Sequence, residues 1–270
     1  MRAKDLLRRT HLLEPARWLR DRLWALRFRR ANAGYLRDGA PDRLPIPPLS
    51  LRIAVAASPD IGWFLESGRR GAESIRQALA RAGRPPERVR ALLDFGCGCG
   101  RVTRHWSGLE AEVHGCDVDS RLVAWCRTHL SFGSFEVTRL EPPLPYPDRR
   151  FDLVYALSVF THLPEELQHA WVRELARVLE PGGHLLVTTH GSRYLDQLDP
   201  SERARFEAGQ LVVRNDRDAG ANACGAYHPP AWVREHLAKG FEVVEHVPEG
   251  AAGNPWQDLY LLRRSRHAAP

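Results

Sequence analysis

Ala91-Leu92-Leu93-Asp94-Phe95-Gly96-Cys97-Gly98-Cys99-Gly100-Arg101 is the stretch on which the fold turns. A short apolar run closes on an acid and an aromatic residue, and glycine then occupies every second position. Without Cβ atoms such a segment can turn sharply and let a ligand approach the backbone. The spacing is G-x-G-x-G led by Asp94, and Arg101 stands where the dinucleotide fingerprint G-x-G-x-x-G would continue toward glycine. Downstream the pattern alternates. Residues 112–118 read as a second strand, 124–130 as part of a helix, 134–138 as a third strand and 151–159 as a fourth. Leu167, Trp171, Leu175, Val178 and Leu179 mark one face of a helix over 165–179, which Pro181-Gly182-Gly183 should stop before a fifth strand at 184–190. A helix near 230–238 leads to strands at 241–247 and 257–264, joined by a Gly/Pro-rich loop as an antiparallel hairpin. Residues 192–223 are polar and give no clear assignment. Alternating βα units imply a parallel sheet with helices on both faces, and a ligand site beyond the carboxyl ends of its strands.

Four segments in this order resemble the class I S-adenosylmethionine (SAM)-dependent methyltransferases: Leu92–Arg101, "VHGCDVD" at 113–119, "LPYPDRRFDLVYALSVFTHL" at 144–163 and "ELARVLEPGGHLLVTTHG" at 174–191. The resemblance spans about residues 88–191. It implies an α/β fold, a Rossmann-like seven-stranded mostly parallel sheet with helices on both faces and an antiparallel C-terminal hairpin. It also implies SAM as cofactor. Carried onto this chain, the cofactor residues are Asp94, Gly96, Cys97, Gly98, Gly100 and Arg101 in the first turn, and Asp117 with Val118 at the end of the second strand. Ala156, Leu157 and Ser158 follow at the end of the fourth. A carboxylate at Asp117 suits a ribose diol because it accepts two hydrogen bonds. Many relatives carry an Asp before the L-P-F/Y element, but this chain reads Val137-Thr138-Arg139-Leu140-Glu141-Pro142. Arg139 and Leu140, with backbone groups, are then expected at the adenine.

Methyl transfer from a sulfonium is an in-line displacement, so the protein mainly supplies proximity and alignment. A base is needed only where the acceptor is protonated, as a hydroxyl is. His190, at the end of the fifth strand, and His162, after the fourth, are the expected catalytic residues because imidazole titrates near neutrality. Tyr155 and His228 are weaker candidates. Tyr194, Tyr227, His228 and Trp232 belong to a segment, 192–230, read as an acceptor-pocket insertion, and residues 58–70 are a second candidate wall. Cys97-x-Cys99 has no second Cys or His pair at ligand spacing, so no metal is expected and the two cysteines read as small loop residues.

The 270-residue chain is 43% hydrophobic and 27% charged, an ordinary globular balance. Its net charge of +6 is unevenly placed. Residues 1–30 carry ten Arg or Lys against three acids, which leaves the rest of the chain slightly negative. The basic character therefore describes an extension and gives no ground to expect a nucleic-acid partner. The organisation reads as a basic helical extension with a Pro-rich linker over 1–60, and a SAM-binding domain over 61–270. A helix near 66–82 opens the latter. Leu12, Ala16, Leu19, Leu23 and Leu26 form an apolar stripe within a helical 1–37. Its expected cover is the acceptor cleft or a second subunit in a homodimer, with an anionic membrane surface as the competing partner. Five cysteines without a secretory signal, and no apolar span near the roughly 20 residues a bilayer needs, read as a cytoplasmic protein. The preference for Arg over Lys suggests a GC-rich bacterial source. The expected activity is methylation of a small-molecule acceptor (a secondary metabolite, a sugar or a lipid-linked saccharide). RNA or protein methylation, and a catalytically silent SAM-binding scaffold, are the alternatives.

Overall fold

A computed structural model of the chain describes residues 13–254 and 256–265. The chain divides into two compact units, 1–66 and 67–270. In the first, the part of the helical expectation for 1–37 that lies in the described residues, from Leu13 on, resolves into two helices, Leu13–Leu26 and Arg29–Asp38, broken by a turn at Arg27-Phe28. Leu19, Leu23 and Leu26 are more than half exposed. Leu12, and the side chains of Ala16 and Trp18, lie outside the described residues. The Pro-rich stretch contains a short helix, Leu49–Ala56, entered from Pro48. Asn32 and Arg52 are buried and fasten this unit. The Asn32 amide donates to the Pro59 carbonyl at 3.0 Å and its oxygen accepts from the Ile61 N–H at 2.8 Å. Arg52 donates to the carbonyls of Pro47 and Pro59. The next helix, Ile61–Arg81, starts earlier than its apolar spacing suggests and crosses the division between the units.

The second unit is built on nine strands: β1 (Ala91–Phe95), β2 (Glu112–Asp117), β3 (Gly133–Val137), β4 (Phe151–Ala156), β5 (Leu179–Thr189), β6 (Val212–Arg214), β7 (Gly225–Tyr227), β8 (Phe241–Val247) and β9 (Asp258–Arg264). Seven form one sheet in the order β3-β2-β1-β4-β5-β9-β8. The pairs among β1 to β5 are parallel, and β9 runs antiparallel to both β5 and β8. Because the chain leaves β1 first to one side and later returns on the other with β4, a crevice opens beyond the carboxyl ends of β1 and β4.

Strand alternation distributes the core to two faces. Leu93, Phe95, Val154, Leu185 and Tyr260 pack with Trp171, Leu175 and Val178 of the helix Glu165–Val178. Leu92, Tyr155, Leu186 and Leu261 pack with Ala72, Ile75 and Leu79 on the other face. Each such large side chain contributes about 1.5–3 kcal/mol when fully buried. Asp152 sits at the start of β4 as a backbone clamp, accepting from the Arg90 and Ala91 N–H groups.

Three local readings are corrected. Pro181-Gly182-Gly183 does not separate helix from strand. β5 begins directly at Leu179, and the glycines form an irregularity inside it, where the register jumps from Phe151–Leu179 to Leu153–His184. β4 ends at Ala156 and not at 159, because Ser158 adopts a left-handed φ of 60°. The unassigned stretch 192–223 holds a helix, Pro200–Glu207, and one strand of a two-stranded ribbon, β6–β7. Asp199 and Glu202 form a complete capping box there, with Pro200 in the first turn.

Candidate active site

The turn after β1 is shaped by its glycines. Gly96, Gly98 and Gly100 have φ of 83°, 56° and 79°, a left-handed conformation that costs other residues about 1–2 kcal/mol each. A Cβ on Gly96 would lie 2.4 Å from Val159 Cγ2, and one on Gly100 would lie 2.3 Å from Leu130 Cδ1. Between these close contacts the Gly98 N–H donates to Asp117 Oδ2 at 2.9 Å, while Asp117 Oδ1 accepts from the Asp119 N–H at 2.9 Å. Each carboxylate oxygen retains a lone pair. Burial raises the Asp117 pKa, and the backbone donors oppose that shift. A glycine-lined turn beside a carboxylate with acceptor capacity fits a nucleoside ligand. Val118, next in the chain, is 44% exposed, an apolar surface fit for a purine face.

Asp94 and Arg101 are placed differently from Asp117. Asp94 is buried and its Oδ2 accepts from Thr103 Oγ1 at 2.5 Å. Burial pushes its pKa up to about 6, against the pull of Thr103, Tyr155 and Arg101. The Arg101 guanidinium donates to the Gly253 carbonyl and to Asn254 Oδ1, so it anchors the loop before β9. Cys97 and Cys99 are buried free thiols; burial pushes Cys99 up to about 12. Among the described residues no group of His, Cys, Asp and Glu could hold a metal ion. Arg139 is exposed, and Leu140 lies under Gly220, where an added Cβ would sit 2.7 Å from its Cδ1. Ala156 is fully buried, Leu157 lies against Gly71, and Ser158 is held in its left-handed turn by a polar knot. The Ser158 N–H donates to Thr188 Oγ1, the Thr188 hydroxyl to Gln257 Oε1, and the Gln257 amide to Ser158 Oγ. This knot is invisible to sequence reading, since its members come from three separate strand ends.

The structure brings His162 and His190 together, with rings edge to face at 6.5 Å. The ribbon holds both. His162 Nδ1 lies 2.8 Å from the Cys224 carbonyl, and His190 Nδ1 lies 3.2 Å from the Ala226 carbonyl. A carbonyl only accepts, so each Nδ1 carries the proton and each Nε2 is the free base nitrogen. Burial lowers both pKa values, that of His190 to about 4, helped by its neighbour His162. Both rings are therefore neutral at pH 7. Tyr194 lies 4.1 Å and Tyr227 5.4 Å from the His190 ring. His190 pairs with Tyr227 as an isolated bridge, and the His228 N–H donates to the His190 carbonyl. His228 is buried behind this wall, where its Nε2 meets Gln168 Oε1 at 3.0 Å. Gln168, which sequence reading missed, donates to the Phe160 and Leu163 carbonyls and so fixes the loop that carries His162. Tyr155 is fully buried away from this pair, its hydroxyl accepting from Trp106 in the core. In 58–70, Ile61 and Phe64 are fully buried.

An open α/β sheet with a glycine turn after β1, an acid ending β2 and an antiparallel terminal pair defines a nucleoside-binding transferase class. The methyltransferase-domain family model matches residues 93–187. A malonyl-[acyl-carrier protein] O-methyltransferase of Enterobacter lignolyticus (strain SCF1) is 30% identical over 181 residues, covering 64% of this chain and 69% of the relative. A tRNA N(3)-cytidine methyltransferase of Gallus gallus is 27% identical over 46% of this chain, which spans only 35% of that relative's length. The solved structure of a SAM-dependent methyltransferase from Mesorhizobium loti superposes with a TM-score of 0.54 at 21% identity, over 72% of this chain and all of that one. The chain belongs to the class I SAM-dependent methyltransferases. It is a SAM-binding enzyme of that class. No helix among the described residues is long and apolar enough to cross a membrane.

Proposed function

We propose that this enzyme methylates a hydroxyl group of a small-molecule acceptor bound between the β4 and β5 ends and the ribbon. The observation that carries this reading is the pair of neutral imidazoles, His162 and His190, each with Nδ1 committed to a ribbon carbonyl and Nε2 left as a base. A base has a role only for a protonated acceptor, and the methyl group of bound SAM is activated by its sulfonium. His190 is the candidate base that takes the hydroxyl proton at Nε2, and the Nε2 of His162, also an acceptor, is open to a second N–H or O–H donor on the acceptor molecule. Tyr194 and Tyr227 flank His190 and offer a flat apolar surface to the body of the acceptor. The Gly96–Gly100 turn and Asp117 hold the cofactor, with Val118, Leu140 and the 156–158 segment beside them, and Arg139 at the rim of the adenine side. Asp94 and Arg101 act through the turn's shape, by fixing Thr103 and the 253–254 loop.

The Enterobacter relative is an O-methyltransferase, which supports the oxygen acceptor. Incubation with SAM and parallel panels of hydroxylated metabolites, saccharides, amines and bacterial RNA, followed through S-adenosylhomocysteine, tests the proposal. Turnover with hydroxylated compounds that collapses in His190→Ala is the expected result. Turnover confined to RNA or to amines would reject it.

A further inference from the structure

At the pole of the sheet opposite the Gly96–Gly100 turn, a cavity of about 390 Å³ opens between the segment after the helix Ile61–Arg81, the start of β5 and the end of β9. Arg84, Arg88, His184 and Arg263 line it, and Gly83 and Gly182 leave its rim bare. The methyl-transfer chemistry uses none of these residues. His184 and Arg263 are cross-strand partners, so strand pairing sets the imidazole beside a guanidinium. His184 is only 5% exposed, and its Nδ1 is sealed without a hydrogen-bond partner. Its Nε2 has no partner among the described residues either, and it is the ring nitrogen left open on the cavity. A sealed lone pair is tolerated better than a sealed N–H. The favoured tautomer therefore presents Nε2–H as a donor.

Charge follows the same pattern. Arg84 pairs with Asp152 at 2.7 Å and Arg263 with Glu242, while Arg88 has no ionic partner among the described residues. Three guanidinium groups thus line one hollow, and only two of them are paired with carboxylates, which lie outside its lining. Burial, together with Arg84 and Arg263, holds the His184 pKa down at about 4, against the weaker pull of Asp152 and Glu242. The imidazole is neutral and sits in a net positive field.

We propose that this cavity binds a small oxyanion of the phosphate class, at a site separate from the cofactor and acceptor. A donor set spread over three chain segments matches an anion with three terminal oxygens and a second negative charge better than a planar carboxylate. Bound phosphate adds negative charge beside His184 and so raises its pKa.

The ring signals of His184 in the full-length protein, followed by NMR through titrations with inorganic phosphate, glycerol phosphate and acetate at constant ionic strength, test the site. The expected result is saturable binding of both phosphates with an upward shift of the His184 pKa, and acetate binding at least about fivefold weaker. Arg88→Ala should weaken phosphate binding at least about fivefold while leaving SAM affinity unchanged, which shows the fold to be intact. Non-saturating shifts, phosphate binding unaltered by Arg88→Ala, or acetate binding as tightly as phosphate would overturn the proposal. Binding of glycerol phosphate without inorganic phosphate would do the same, since it would place recognition on the glycerol.

Discussion

The cofactor end and the proposed acceptor end of this enzyme lie beyond the same edge of one sheet, yet they are assembled in different ways. The cofactor end is local. Gly96, Gly98 and Gly100 lie within five consecutive residues, and Asp117 comes from the next strand of the sheet. The acceptor end is gathered from far apart. His162 is held by Cys224, His190 by Ala226, and Gln168 by its contacts with Phe160, Leu163 and His228. The two ends also bury opposite kinds of titratable group. An acid whose pKa is raised sits under the first, and His162 and His190, whose pKa values are lowered by burial, line the second. A binding site for a shared cofactor can thus rest on one rigid turn, whereas the proposed acceptor site depends on a small ribbon docked onto strand ends.

The largest effect expected from this division is on turnover. His190→Ala should lower kcat about 10²–10⁴-fold, the range of a lost general base, with SAM affinity unchanged. The acidic limb of the pH–rate profile should fall near pH 4 and not near 6.5, because the folded imidazole stays neutral down to its lowered pKa. An acidic limb at the ordinary imidazole value, or an unchanged kcat, removes His190 from the chemistry. The second effect acts on the other end. Gly96→Ala places a Cβ 2.4 Å from Val159 Cγ2 at a left-handed φ, and should cost about 2–4 kcal/mol in stability and SAM binding combined. Calorimetry and thermal unfolding check this, and an unperturbed variant would show that the turn tolerates a side chain and does not form a tight cradle. Asp117→Ala is the third. Loss of a charge-assisted acceptor should weaken SAM by about 1–3 kcal/mol while leaving its own donors, the Gly98 and Asp119 N–H groups, to water. Equal SAM affinity in wild type and variant would reject the ribose role.

The same locality governs what could be read from the sequence. The Asp94–Arg101 turn, the parallel order of the first strands and the terminal antiparallel pair were legible because each is signalled by consecutive residues. His162 and His190 were legible as positions at strand ends. Their tautomers were not, because Cys224 and Ala226 lie far along the chain. Asp94 and Arg101 look like ligands in a motif, but their side-chain partners, Thr103 and Asn254, appear only in three dimensions. The ribbon escaped notice since three-residue strands carry almost no periodicity, although the Asp199–Glu202 capping box was available as a helix signal. Pro181-Gly182-Gly183 has the composition of a helix stop, because Pro and Gly usually end helices. Here the helix had already ended at Val178.

The smallest expected effect tests the opposite pKa shifts of the two ends through their opposite linkage to pH. Asp94 has a folded pKa of about 6, above the 3.8 of an unperturbed aspartate. Between those values the folded state holds more protons than the unfolded state, so this residue makes stability fall as pH rises from about 4 to 6. Asp94→Asn removes the ionisation and should stabilise the protein at pH 7 by about 1 kcal/mol, since the weaker hydrogen bond from Thr103 offsets part of the gain. The advantage should shrink as pH drops below 6. His190 runs the other way. Its folded pKa of about 4 lies below the ordinary 6.5, so the unfolded state takes up the proton first and stability is lost as pH falls through that window. Urea unfolding of wild type, Asp94→Asn and His190→Gln at pH 7, 6 and 5 measures both slopes. The Asn variant should lose its advantage toward pH 5, and the Gln variant should close its deficit, or gain, over the same interval. Parallel slopes for the two variants would mean that the buried acid and the buried imidazole do not divide the molecule as their surroundings imply.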